Sequence, residues 1–250
     1  MAAMSLGQLT LVAVIGFFGS FYGVVSGGGG LIIIPGLIFV GVPAPSAVAS
    51  SRVGILGLSI TGAYRYRRAG LLRARASVPL LVVVACGSAI GAVLLLRSDP
   101  EQLRRAIGLL TIAVAPVIVL GRRLGLEGVS DPSSLRRRVG YGVTFLIGIY
   151  AGLFGAAWAT FFTYAMVAAF GMSFMQGAAT RTFVGLAVGL VTVAIFSVGG
   201  AIDPAPALVL FVAQALGSYA GASFSLRQSE SYARGLVALV AVLSGLRLLI

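Results

Sequence analysis

Long apolar runs recur along the whole chain, most of them near the roughly 20 residues that a helix needs to cross a bilayer. Polar, glycine or proline interruptions divide them into residues 6–25, 31–44, 46–65, 76–96 and 101–121, then 139–157, 158–171, 174–199, 205–226 and 230–250. Between the two sets of five lies a basic stretch, Arg122–Arg138, with Asp131-Pro132-Ser133-Ser134 as its turn chemistry. The pattern predicts an all-α, polytopic membrane protein. The first run is too long, and lacks the basic start, for a cleaved signal peptide, so it is expected to remain as a span.

One interruption differs in kind. Gly27, Gly28, Gly29 and Gly30 follow Ser26 between two strongly apolar runs. Each glycine costs a helix about 1 kcal/mol relative to alanine, yet the flanks are too apolar for a loop in water. A helix broken inside the membrane fits, with backbone groups lining a cavity. Leu31–Ala44 is about 21 Å long as a helix, short of the roughly 30 Å hydrocarbon core. A short, tilted or re-entrant pair is expected there.

The two halves are related. At a shift of 130 residues Gly87-Ser-Ala-Ile-Gly-Ala92 falls on Gly217-Ser-Tyr-Ala-Gly-Ala222, Leu96-Arg97 on Leu226-Arg227, and Gly41 and Gly70 on Gly171 and Gly200. Before Gly41 the shift is 132, pairing Gly16 with Gly148 and Gly23 with Gly155. Residues 1–121 and 139–250 therefore read as two membrane repeats. Gly87/Gly91 and Gly217/Gly221 are small-residue stripes expected to let helices pack closely.

Arginine placement sets an expected orientation. The loop from Arg65 to Arg75 carries five arginines and no acid, whereas its counterpart, 199–206, carries Asp203 and no base. Equivalent loops then lie on opposite faces, the pattern of inverted-topology repeats in secondary transporters. Both termini are expected outside, with the basic linker in the cytoplasm.

Composition narrows the chemistry. The chain of 250 residues is 59% apolar and 10% charged, with a net charge of +12; all 18 basic residues are arginine. These lie between apolar runs rather than on one soluble face, so lipid headgroups are expected neighbours and nucleic acid is not. The lone Cys86 reads as a packed small core residue. There is no histidine, and the six acids all fall in expected loops or at helix ends. No metal centre, cofactor or Ser-His hydrolase is expected, nor a mid-span carboxylate to carry protons.

The candidate binding residues start the third run of each half: Ser50, Ser51 and Arg52, and Thr180, Arg181 and Thr182. Arg52 and Arg181 are the arginines least easily assigned to a loop. A helix N-terminus offers free N–H groups and partial positive charge. Guanidinium adds a planar fork for oxyanions. Gly27–Gly30 would add backbone groups, and Trp158 and Gln176 aromatic and amide groups. Gln214 falls inside a span, where an amide needs a partner. The expected ligand is a small oxyanion.

The run Gly23-Val-Val-Ser-Gly-Gly-Gly-Gly-Leu-Ile-Ile-Ile-Pro35, followed by Gly41-Val-Pro43, Ala47-Val-Ala-Ser-Ser51 and Ala63-Tyr-Arg-Tyr-Arg-Arg-Ala-Gly70, resembles the TauE/SafE family of sulfite exporters. A second copy is visible in Gly148–Gly155 and Gly171–Arg181, but its glycine turn is replaced by Ala156-Ala-Trp-Ala-Thr-Phe-Phe162. Arg181 also stands where a small residue is expected. The resemblance implies export of sulfite, organosulfonates or related small anions across an inner membrane by alternating access. An anion channel with a constriction at the same residues is the alternative.

Overall fold

The computed structural model describes residues 4–103, 105, 106, 109 and 132–227. Eight helices are described: α1 (Leu6–Ser26), α2 (Gly30–Phe39), α3 (Ala44–Arg68), α4 (Ala74–Leu96), α5 (Ser134–Leu153), α6 (Trp158–Phe170), α7 (Phe174–Val198) and α8 (Pro204–Ser225). No strand occurs among the described residues. The chain is an all-α polytopic membrane protein. Four helices, α1, α4, α7 and α8, are long and apolar enough to cross a membrane. The 25-residue α3 is as long but carries Arg52, Arg65, Arg67 and Arg68. Leu11, Phe18, Val82, Leu146, Leu190 and Leu216 are exposed on the outer helix faces, where lipid tails would cover them.

Local chemistry sets the helix ends. The α1 start is a capping box: Gln8 N donates to Ser5 Oγ at 3.2 Å, and Ser5 N donates to Gln8 Oε1 at 2.9 Å. Ser173 and Gln176 repeat the device at α7. Asp203 caps α8, whose first residue is Pro204. Ser133 accepts from Arg136 N, so α5 begins inside the stretch read as linker and Arg136–Arg138 lie in its first turns. The run at 31–44 is helical only to Phe39, and that at 139–157 only to Leu153. The runs at 101–121 (apart from its first residues) and 230–250, and linker residues 122–131, lie outside the described residues. Cys86 is exposed on α4, not packed in the core: it faces away from the α5 contact that Gly87 makes.

Helix directions follow from the contacts. α1 and α2 form a hairpin in which Gln8 Nε2 donates to Val40 O at 3.2 Å. α5 and α6 do the same, with Gly140 against Phe170. α1 runs parallel to α8, with Phe17 opposite Gly217 and Phe21 opposite Gly221. α4 runs parallel to α5 in the same way, with Gly87 against Phe145 and Gly91 against Ile149. α3 runs parallel to α8, since Ser50 bonds Asp203 while Tyr66 Oη lies 3.3 Å from Ser225 Oγ. α3 and α7 cross antiparallel, with Ser59 at Gly185 and Gly62 at Thr182. Thus α1, α3 and α8 point one way, and α4, α5 and α7 the other.

The glycine stripes do pack backbone on backbone. A side-chain carbon at Gly91 would strike the Ile149 carbonyl oxygen, a contact with no flexible side chain to yield. Gly91→Val is therefore expected to prise α4 from α5 and cost about 2–3 kcal/mol. Melting in detergent, read as monodisperse protein remaining after heating, checks this; an unchanged midpoint would contradict the interface.

Candidate functional site

Two helix breaks meet at the centre of the bundle. α1 ends at Gly27, whose φ of 87° lies in the left-handed region that glycine enters freely. α5 ends at Leu153, and the chain turns through Gly155 and Ala157, at φ 74° and 58°. Ala157 is the non-glycine residue with positive φ among the described residues, a conformation costing about 1–2 kcal/mol. The breaks touch: a Cβ at Gly30 would lie 2.7 Å from Gly155 O, and Thr160 Oγ1 donates to Ser26 O at 3.2 Å.

Between the breaks is a cavity of about 50 Å³. One water needs about 10–15 Å³ on this measure, so roughly three to five water-sized groups fit. Backbone from both breaks lines it at Gly27, Gly29, Gly30 and Gly155, with Trp158 beside them. α3 contributes Ser51, Arg52, Ile55, Leu58 and Ser59; α7 contributes Arg181 and Thr182; α8 contributes Gln214. No described acid lines it; Asp203, for instance, caps α8.

The two arginines are both buried, at 0% and 3% exposure, but are used differently. Arg181 is engaged by protein. Its Nη2 donates to Gly23 O at 3.1 Å and Val24 O at 2.6 Å, and its Nη1 to Thr163 Oγ1 at 3.1 Å. These carbonyls belong to the last turn of α1, where Gly23 O also accepts from Gly27 N at 2.8 Å and Val24 O from Tyr66 Oη at 3.1 Å. Arg181 therefore caps the broken helix from the side.

Arg52 has no such engagement. Its Nε, Nη1 and Nη2 are all buried without a hydrogen-bond partner among the described residues. The guanidinium lies against Gly155, where any Cβ would collide with it. The repeat register explains the difference. At the shift of 130 residues Arg181 corresponds to Ser51, not Arg52. One residue along a helix turns a side chain by about 100°. Buried guanidinium without a counter-charge is unfavourable by several kcal/mol, so an anion beside it gains that energy back. Ser59 Oγ and both amide atoms of Gln214 are also buried and unpartnered.

Of the residues singled out in sequence, Ser51, Arg52, Arg181, Thr182, Gly27, Gly29, Gly30 and Trp158 line the cavity. The hydroxyls of Ser51 and Thr182 donate to Val48 O and Ala179 O one turn back in their own helices. Ser50, Thr180, Gly28 and Gln176 do not line it. Ser50 Oγ bonds the backbone of Asp203, Thr180 Oγ1 reaches Met172 Sδ at 3.7 Å, and Gln176 is spent on its capping box. Ser59 was missed, although it shares a face of α3 with Arg52 and Ile55 at helical spacing.

Comparison with known proteins agrees with this architecture. Residues 12–248 match the family described as Sulfite exporter TauE/SafE. The chain belongs to that family and is a membrane transporter. It is 27% identical to the probable membrane transporter protein YfcA of Escherichia coli K12, covering 98% of this chain and 89% of that one. A probable membrane transporter protein of Haemophilus influenzae is 25% identical over 93% of this chain and 91% of its own. One from Sinorhizobium, ORF9, is 25% identical over 96% and 92%. No solved structure matches the chain.

Proposed function

We propose that the protein exports a small oxyanion, sulfite or an organosulfonate, across the inner membrane by alternating access at the cavity between the two breaks. The observation that carries this is Arg52: a buried guanidinium with three unpartnered nitrogens, lining a partly open cavity without a carboxylate among its described lining residues. A guanidinium fork suits an oxyanion, and the volume suits a small one. The name of the matching family points to the same chemistry.

Two copies of one unit, residues 1–121 and 139–250, are taken to be arranged upside down. The antiparallel crossing of α3 and α7, and the parallel pairing of α1 with α8 and of α4 with α5, fit that arrangement. Rocking of one copy against the other would expose the cavity to each face in turn. Arg65, Arg67 and Arg68 end α3 on the face where α4 starts and where Arg136–Arg138 open α5. The positive-inside rule favours a cytoplasmic side for that face, and with it a start of α1 outside. The membrane potential favours anion exit by about 2.3 kcal/mol per charge per 100 mV.

Proteoliposomes loaded with sulfite test the reading. The expected result is saturable efflux, accelerated by sulfite on the opposite side. Efflux without saturation or exchange would make the protein a channel; failure to move any sulfite or sulfonate would remove the substrate assignment.

A further inference from the structure

We infer that Gln214 is a specificity-determining residue, selecting among small monoanions those that carry a hydrogen-bond donor of their own. This rests on the anion-site reading above and adds a demand on the anion that charge alone does not make.

Gln214 is fully buried on α8, and its side chain lines the cavity. Its backbone is pinned, because Ser20 Oγ donates to Gln214 O at 2.6 Å. Its amide rests against Gly54, where any Cβ would collide with it. Arg52 and Gln214 line the same cavity, from α3 and from α8. Neither Nε2 nor Oε1 has a partner among the described residues.

The unpartnered groups around the cavity can be sorted by type. Arg52 offers donors only. Ser59 can donate or accept. Gln214 offers two donors and one acceptor. The oxygens of any small oxyanion satisfy the donors of Arg52 and Nε2. They cannot satisfy Oε1, which needs an N–H or O–H. Exchanging the amide's oxygen and nitrogen leaves one unpaired acceptor either way. A buried acceptor facing another acceptor loses its hydration without replacement, and a site built around such a group rejects ligands that lack the matching hydrogen. The favoured class is a singly charged sulfur oxyanion bearing an O–H or N–H.

The chain's single tryptophan, Trp158, lines the same cavity and reports binding by its fluorescence. Purified protein is titrated with sulfamate and with methanesulfonate, two monoanions of nearly the same shape that differ in an amino against a methyl group. The parent is expected to bind sulfamate about tenfold more tightly, the effect of one buried acceptor left unmet. Gln214→Met is expected to bring the two affinities together while both anions still bind. Gln214→Asn, which keeps the amide, retains part of the preference. Equal affinities in the parent, or a preference that survives in Gln214→Met, overturn the inference while leaving the anion site standing. If neither anion perturbs Trp158 and neither is transported, the anion-site reading itself fails.

Discussion

Arg52→Met is expected to raise the stability of the empty protein and abolish anion transport, whereas Arg181→Met is expected to lower stability. The two side chains are buried almost equally, at 0% and 3% exposure, so burial alone predicts the same sign for both. Their partners predict opposite signs. Arg181 donates to Gly23 O, Val24 O and Thr163 Oγ1, and losing it removes three bonds at once, leaving Gly23 O with the N–H of Gly27 and Val24 O with the hydroxyl of Tyr66. Charge-assisted bonds of this kind are worth about 1.5–3 kcal/mol each before relaxation, so a net loss of about 2–4 kcal/mol is expected. Arg52 satisfies nothing in the described structure. Replacing even a paired set of buried charges by apolar side chains of similar volume stabilises some proteins by about 1–4 kcal/mol, and Arg52 has no partner's attraction to lose. The measurement is a melting curve in buffer without small oxyanions, repeated with sulfite. Sulfite at one hundred times its dissociation constant would stabilise the parent by about 2.7 kcal/mol and leave Arg52→Met unmoved. A fall in stability of Arg52→Met matching that of Arg181→Met, or sulfite transport by Arg52→Met, would show that Arg52 has a structural role.

Much of the architecture is legible in the sequence, because membrane helices advertise themselves by length and apolarity. The glycine run announces a break: four glycines between two apolar stretches suit neither a continuous helix nor a loop in water. Arg52 stands out as an arginine with no loop to occupy. The division of labour between Arg52 and Arg181 is not legible, because it depends on where the last carbonyls of α1 sit in space. Gln176 shows the opposite case. Ser173 three residues before it is a capping-box spacing, and that local reading accounts for its side chain without a ligand. Ser50 and Thr180 sit beside cavity residues in sequence but project from other sides of their helices. Ser59 is legible only on the assumption that Arg52 marks the inner face of α3, since it is two turns further along that face. Ends of helices are less well defined than their centres: nothing apolar distinguishes Leu153 from Phe154, and the stop comes at Gly155, which takes φ 74° and donates its N–H to Tyr150 O.

Gly27→Ala is expected to be among the most damaging single-methyl changes in the described chain, and three glycines make the reason separable. Gly142 lies on an exposed stretch of α5 with nothing within 4 Å of an added Cβ. Alanine there should stabilise the helix by up to about 1 kcal/mol. Gly41 has φ 101° but equally open surroundings, so Gly41→Ala should show the backbone penalty alone, about 1–2 kcal/mol. Gly27 combines the same kind of backbone, φ 87°, with a methyl that would lie 2.5 Å from Thr160 N and 2.6 Å from Arg181 Nη1. Thr160 N is fixed backbone at the start of α6, and Arg181 is held by three hydrogen bonds, so neither can yield cheaply. Overpacking adds about 1–3 kcal/mol, for a total of about 3 kcal/mol or more. Any relaxation must push α6 away from the end of α1 and pull Arg181 from the α1 carbonyls, which spreads the lining of the cavity. Transport is therefore expected to fall further than residual folded protein does. Flux per folded molecule in proteoliposomes, compared across Gly142→Ala, Gly41→Ala and Gly27→Ala, checks the order. Equal flux from the Gly41 and Gly27 variants would mean that the meeting of the two breaks is not what shapes the transport site.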